Sequence, residues 1–275
     1  MKFKYLGTAA YEGIPALFCT CDTCREAREL GGRNLRTRSQ AIINDDLLLD
    51  FNADTCIHAM TYGLDFSKLD ACLITHSHCD HFYPDDIEIM HEHYSHFDPT
   101  HKFHFYAGEH AYGRLCKMAS HPKINALVPH LVTAGEAFTA GRYHVFPIPA
   151  THDPNSSPFV YIIDDGTRRV FYMNDTSLLS DSAWDMLAAY GKRVDLVSLD
   201  CTAALQNRTE MRTHMSLLMV RMALERLTEI GIVDDKTIKI INHFSHNGRA
   251  NYDTLSALVR DEGLLVSYDG MELEL

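Results

Sequence analysis

Residues 73 to 81 read Leu73-Ile74-Thr75-His76-Ser77-His78-Cys79-Asp80-His81. A short apolar run breaks directly into three histidines and an aspartate. On an extended segment, residues two apart share a side, so His76 and His78 can reach one ion. Asp80 and His81 are adjacent and diverge, which suits a second ion nearby. Mixed imidazole and carboxylate donors fit Zn, Mn or Fe. A polar loop with coincidental histidines is the competing reading, and the density of the pattern at a strand end argues against it.

Outward from this loop, short apolar runs predict strands at Phe3–Leu6, Ala41–Ile43, Leu47–Leu49 and Ala71–Ile74. Others follow at Tyr143–Ile148, Phe159–Ile163, Arg169–Met173, Val194–Leu199 and Ile238–Ile241. Asp164-Asp165-Gly166 is a hairpin signal between two of them. Helices are expected from a cap at Asp22 to Gly31-Gly32, over Asn52–Tyr62 closed by Gly63, and from Pro84 as a first helical residue. The longest is expected from about Met215 to Ile230, where Leu217, Val220, Leu224 and Leu227 recur at helical spacing and Gly231 stops it. Strands cluster in both halves with helices between, which predicts an α+β chain with helices outside two packed sheets.

The composition of the 275 residues agrees with a globular protein: 46% hydrophobic and 23% charged. The formal net charge of −12 argues against a broadly basic nucleic-acid or membrane binder. The unusual counts are 17 His and 8 Cys, which point to metal sites or proton transfer. No apolar run of transmembrane length occurs, and Glu12, Gly13 and Pro15 interrupt any signal-peptide core. A cytoplasmic location is therefore expected, with the cysteines as thiols or metal ligands.

The H-x-H-x-D-H string resembles the signature of the metallo-β-lactamase superfamily. The resemblance implies an αββα sandwich over residues 1–275, a single hydrolase domain with one or two metal ions at one edge of the sheets. It also implies further ligands at later strand ends. His152 follows the strand 143–148, Asp175 follows 169–173, and His243 follows 238–241. By this resemblance His76, His78 and His152 hold the first ion, and Asp80, His81 and His243 the second. Asp175 bridges both, and Asp80 is counted with the catalytic residues as well. Asp50, after Leu47–Leu49, matches the family aspartate that orients a ligand histidine, although a buried Asp there could equally cap the helix that follows.

A second motif is Cys19-Thr20-Cys21-Asp22-Thr23-Cys24. Structural zinc takes four ligands, and Cys₃His is a known set. His246, three residues after His243, is the candidate fourth. Three unliganded thiols or a redox role are the alternatives. Cys56, Cys72, Cys79, Cys116 and Cys201 lack such spacing and read as packing residues. Together Gly7-Thr8, Gly13-Ile14-Pro15, the cysteine motif, Arg38-Ser39, the metal loop and His-x-x-His resemble the phosphoribosyl cyclic phosphodiesterase branch of the superfamily. The chain departs from that branch at Ala9, Ala10, Tyr11 and Glu12, at Tyr83-Pro84, and in the histidine-rich stretch from His91 to His104. These positions are expected to border the substrate, although most histidines of that stretch also read as surface residues.

The implied chemistry is hydrolysis of a small anionic phosphodiester by a hydroxide shared between two divalent ions, about 3.5–4 Å apart. His214, near the start of the long helix, is the expected proton donor to the leaving alkoxide. A helix start disfavours an imidazolium, which weighs against that role. Arg208 and Arg212 read as solvated. An RNA-processing nuclease or a lactone or thioester hydrolase of the same superfamily is the nearest alternative, and a non-catalytic metal-binding protein the more distant one. A nuclease should carry a basic arm or groove, and the net charge of −12 and the lack of a Lys/Arg-rich insert weigh against it. A homodimer is compatible with the sequence.

Overall fold

The computed structural model describes every residue except Pro99. Fourteen strands form two seven-stranded sheets. In chain order the first six are β1 (Lys2–Gly7), β2 (Gln40–Ile43), β3 (Leu47–Leu49), β4 (Ala71–Leu73), β5 (Phe103–Ala107) and β6 (Leu127–Leu131). Next come β7 (Phe138–Ala140), β8 (Tyr143–Pro149), β9 (Phe159–Asp164) and β10 (Arg169–Met173). The last four are β11 (Leu196–Asp200), β12 (Ile238–Asn242), β13 (Leu264–Val266) and β14 (Glu272–Glu274). One sheet runs β14-β1-β2-β3-β4-β5-β6, and the other β13-β12-β11-β10-β9-β8-β7.

Alternation along the strands builds three apolar layers. In β10, Val170 and Tyr172 join Phe3, Tyr5, Leu49, Leu73 and Tyr161 between the sheets. Phe171 and Met173 point the other way, onto Trp184 and Leu187 of α4 (Asp181–Tyr190) and Val220 and Leu227 of α5 (Leu217–Glu229). The outer face of the first sheet packs Leu48, Cys72 and Phe105 against Leu115 of α3 (Glu109–Ala119). Truncating one such buried leucine costs about 2–5 kcal/mol, a large part of a domain's net stability. Tyr5 Oη donates to Ser198 Oγ across the sandwich at 2.8 Å. The expected αββα layering is what the chain adopts.

Four helical segments differ from the sequence reading. The first helix, α1 (Asp22–Leu30), has Cys21 at its N-cap, with Asp22 already inside the first turn. The segment from Pro84 is a 3₁₀ helix, Pro84–Met90, not an α-helix. Ser216 caps α5 by accepting from Met219 N, so the helix begins two residues later than Met215. α2 (Thr55–Tyr62) also starts late, and α6 (Tyr252–Val259) completes the helices.

The strand directions place the site. β3, β4 and β5 are mutually parallel, as are β10, β11, β12 and β13. β8 is antiparallel to β9, and β9 to β10, so β8 and β10 end on the same side. The residues after β3, β4, β8, β10, β11 and β12 therefore gather at one edge. No helix among the described residues is long and apolar enough to cross a membrane.

Candidate metal centre

Donor atoms meet at this edge in the two expected sets, and a third group, Asp175, Asp200, His214 and His243, overlaps the second. In the first, His76 Nε2 lies 3.0 Å from His78 Nδ1, and His152 Nε2 lies 3.1 Å from the same atom. In the second, His81 Nε2 is 3.3 Å from His243 Nε2 and 3.4 Å from Asp80 Oδ2. Asp175 stands between the groups. Its Oδ2 is 3.2 Å from His81 Nε2 and 3.8 Å from His76 Nε2, and its Oδ1 is 2.8 Å from His243 Nε2. All seven residues named from the sequence are thus brought together, in the expected two sets.

The far side of each ring fixes which nitrogen faces inward. Asp50 Oδ1 accepts from Thr75 N and Oγ1, at 2.7 and 2.8 Å. Its Oδ2 accepts from His81 Nδ1 at 2.7 Å. Asp50 therefore does not cap α2. It sets the His81 tautomer, leaving the Nε2 lone pair for the cluster. Thr202 Oγ1 donates to Asp200 Oδ1 and so accepts from His243 Nδ1 at 2.8 Å. His152 Nδ1 donates to the Thr213 carbonyl at 3.0 Å, and His78 Nε2 faces Asp153 at 3.3 Å. Asp50 and His243 both take positive φ, 68° and 61°, conformations that non-glycine residues seldom adopt outside functional corners.

Imidazole lone pairs that face one another this closely repel unless a cation lies between them. Asp175 Oδ1 is buried and receives no hydrogen bond, although His243 Nε2 lies beside it. Burial would raise the Asp175 pKa, but His243 and His81 hold it well below the ordinary carboxylate value. Burial likewise pushes His76 well below the usual imidazole value, toward the neutral, ligating form. This donor chemistry fits divalent ions in both sets.

His214 sits beside both sets. It precedes the helix cap, and its Nδ1 donates to Asp200 Oδ2 at 2.9 Å. Burial works to lower its pKa, but the charge and hydrogen bond of Asp200, with Asp175 and Asp80, hold it at about 9. The buried Asp200 carboxylate therefore opposes the effect of the helix start on a charged His214. Asp200 carries this effect and had no assigned role. Its signal was its place at the end of an apolar strand, the same position Asp50 occupies.

A cavity of about 570 Å³ opens over the cluster, with His78, Asp80, His152, Asp175, His214 and His243 in its wall. Of the four departures at Ala9 to Glu12, Ala10, Tyr11 and Glu12 line it, whereas Ala9 is fully buried and does not. No described residue from His91 to His104 does, nor do Tyr83 and Pro84. Those segments lie elsewhere, and their expected contact with substrate is not found.

Cys19, Cys21, Cys24 and His246 form a separate group, their donor atoms all within 4.8 Å of one another. His246 Nδ1 is 3.4 Å from Cys19 Sγ and 3.3 Å from Cys21 Sγ. Burial pushes the Cys24 thiol up to about 12, whereas hydrogen bonds from Cys21 lower Cys19. Three sulfurs around one imidazole, at the N-terminus of α1, are a donor set suited to zinc.

A model of the beta-lactamase superfamily domain matches residues 49–244. The chain belongs to the beta-lactamase superfamily. Its members are hydrolases that use divalent metals. Solved structures of similar shape include a diphosphatase of the PhnP family, with a TM-score of 0.72 and 22% identity, over 100% of this chain and 97% of that one. Zn(2+)-bound PqqB from Methylobacterium extorquens has a TM-score of 0.72 at 17% identity, over the whole of both chains. Human tRNase Z, short form, has 0.66 at 15%, over 100% of this chain and 99% of that one. These likenesses show the shared metallo-β-lactamase fold. A curated relative, an octanoyltransferase from Porphyromonas gingivalis (strain ATCC BAA-308 / W83), is 34% identical over 85 residues. That match takes in 30% of this chain and 16% of the relative's length.

Proposed function

We propose that this hydrolase is a dinuclear phosphodiesterase acting on a small phosphodiester. The observation that carries the reading is Asp175, a buried carboxylate shared by two imidazole-rich donor sets, with the His214–Asp200 pair alongside. His76, His78 and His152 would hold one divalent ion, Asp80, His81 and His243 the other, and Asp175 would serve both. When bound, such an ion pair supplies a water nucleophile at neutral pH and offsets phosphoryl charge.

The chain's own residues do the rest. Asp50, Thr202, the Thr213 carbonyl and Asp153 lock the ligand rings, so little reorganisation is needed when substrate arrives. Asp200 accepts from His214 Nδ1 and its charge favours the protonated ring, which leaves a proton at Nε2. As the phosphorus–oxygen bond to the leaving group breaks, the departing oxygen takes that proton from His214 Nε2, since Nδ1 is engaged by Asp200. The resemblance to the cyclic phosphodiesterase branch supports a cyclic or nucleotide-like substrate. Cys19, Cys21, Cys24 and His246 would hold one structural zinc that ties the N-terminal loop to the segment after β12.

The test is metal analysis together with a substrate panel. We expect two catalytic ions and one zinc per chain, turnover of bis-aryl phosphodiesters and cyclic nucleotides, and little with lactones. Absence of diesterase turnover with Zn, Mn and Fe would reject the reading.

A further inference from the structure

One charged side chain in the cavity wall has no part in the reaction just described. Phe244 N donates to the Thr8 carbonyl at 2.8 Å, and Ala10 N to the Phe244 carbonyl at 2.9 Å. These bonds lay the N-terminal loop along the segment after β12 and bring Glu12 to the cavity. Ser245 Oγ donates to Glu12 Oε1, and His246 Nε2 lies 3.5 Å from the same oxygen. The other nitrogen of His246 faces the cysteines. Glu12 is therefore anchored from the cysteine–histidine group while its side chain, 27% exposed, borders the cavity. Its Oε2 accepts no hydrogen bond from the described residues.

The second observation concerns charge. No Lys or Arg side chain lines the cavity. Arg38, which donates to the Tyr11 carbonyl at 2.9 Å, is paired with Asp54 at 2.8 Å. Arg208 and Arg212 are absent from the wall as well. Gln206 and Asn247 add neutral amides to the same wall. One phosphodiester group is served by the donor sets and His214. A second phosphate placed beside Glu12 would meet its carboxylate with no Lys or Arg among the described residues of the wall to offset it.

We propose that Glu12 is a specificity-determining residue. It selects diesters that carry a single phosphate and a hydroxyl-bearing leaving portion, whose hydroxyl donates to Oε2, and it rejects substrates with a second phosphate. This inference rests on the phosphodiesterase reading.

The experiment compares native holoenzyme with Glu12→Gln on two substrates: adenosine 2′,3′-cyclic phosphate and the same nucleotide bearing a 5′-phosphate. Gln keeps the Oε1 acceptor for Ser245, removes the charge and replaces the Oε2 acceptor with an NH2 donor. The native protein should prefer the first substrate. In E12Q the ratio of the two kcat/KM values should fall by about tenfold, the scale of one nearby charge at a partly screened site, with zinc content unchanged. An unchanged ratio, including equal losses on both substrates, overturns the proposal. If the native holoenzyme turns over neither nucleotide, the phosphodiesterase reading fails on these substrates. Calorimetric binding of adenosine 3′-monophosphate and adenosine 3′,5′-bisphosphate then decides for Glu12. Discrimination against the bisphosphate that E12Q relieves supports it, and equal affinities overturn it.

Discussion

His76, His78 and His81 fall within six residues of one another, and so do His91, His93 and His96. In the first region the inward nitrogens approach to 3.0–3.3 Å, shared with His152 and His243 from other strands. In the second, the His91 and His93 rings are 6.4 Å apart, and His91 and His121 5.4 Å. His91 Nδ1 accepts from His93 N, and His121 Nδ1 from Lys123 N, so each ring spends a lone pair on its own chain. Among the described residues no metal-donor group forms there. What separates the regions is support. The first set hangs from strand ends and is braced by buried Asp50, Thr75 and Thr202. The second follows a 3₁₀ helix at the surface. Histidine density alone does not make a site; rigid anchoring of the outer nitrogen does.

The sharpest way to break this contrast is to remove the shared carboxylate. Asp175→Asn should cost at least about 10³-fold in turnover, because charge stabilisation at both ions depends on it. At least one ion per chain should be lost, as read by elemental analysis. Retention of both ions would show that the donors are not braced around Asp175.

Next in size is His214→Ala, expected to lower turnover about 10²-fold with ion content intact. Loss of ions in that variant would move His214 from proton donor to ligand. Smaller again is Asp50→Asn. It keeps the shape but weakens the hold on His81, for an expected drop of about tenfold in metal affinity, measured by chelator competition. No change would mean that Thr75 alone orients the ring.

The anchoring that these variants probe also explains what could be read from the sequence. β4, β10 and β12 are buried, near-continuous apolar runs, and such runs end abruptly where the chain meets the site. His76, Asp175 and His243 follow those breaks and were legible. β5 was missed because it begins inside the histidine-rich stretch, where His104 interrupts the apolar pattern. In the fold, His104 packs beside His130, with Nδ1 2.8 Å from its Nε2. β6 contains Pro129, which reads against a strand and is tolerated because β6 is an edge. α3 buries only Ala111 and Leu115, too narrow a stripe to stand out. Asp200 escaped because its partners His214 and Met215 meet it only through the fold.

The smallest expected effect belongs to the surface histidines, and it tests the contrast from the other side. His91, His93 and His121 border a cavity of about 550 Å³ with Arg114, Lys117, Asp85 and Glu88. Their replacement together by alanine removes exposed or half-exposed rings without opening the core, so stability should change by about 0.5 kcal/mol or less per site. Turnover should stay within about twofold and ion content should not move, because a surface change away from the site leaves the braced ligands where they are. Thermal unfolding, kinetics and elemental analysis on one preparation check all three. Loss of an ion in this variant would show that anchoring at strand ends is not required for this chain to bind metal, and the difference between the two regions would then be one of affinity and not of kind.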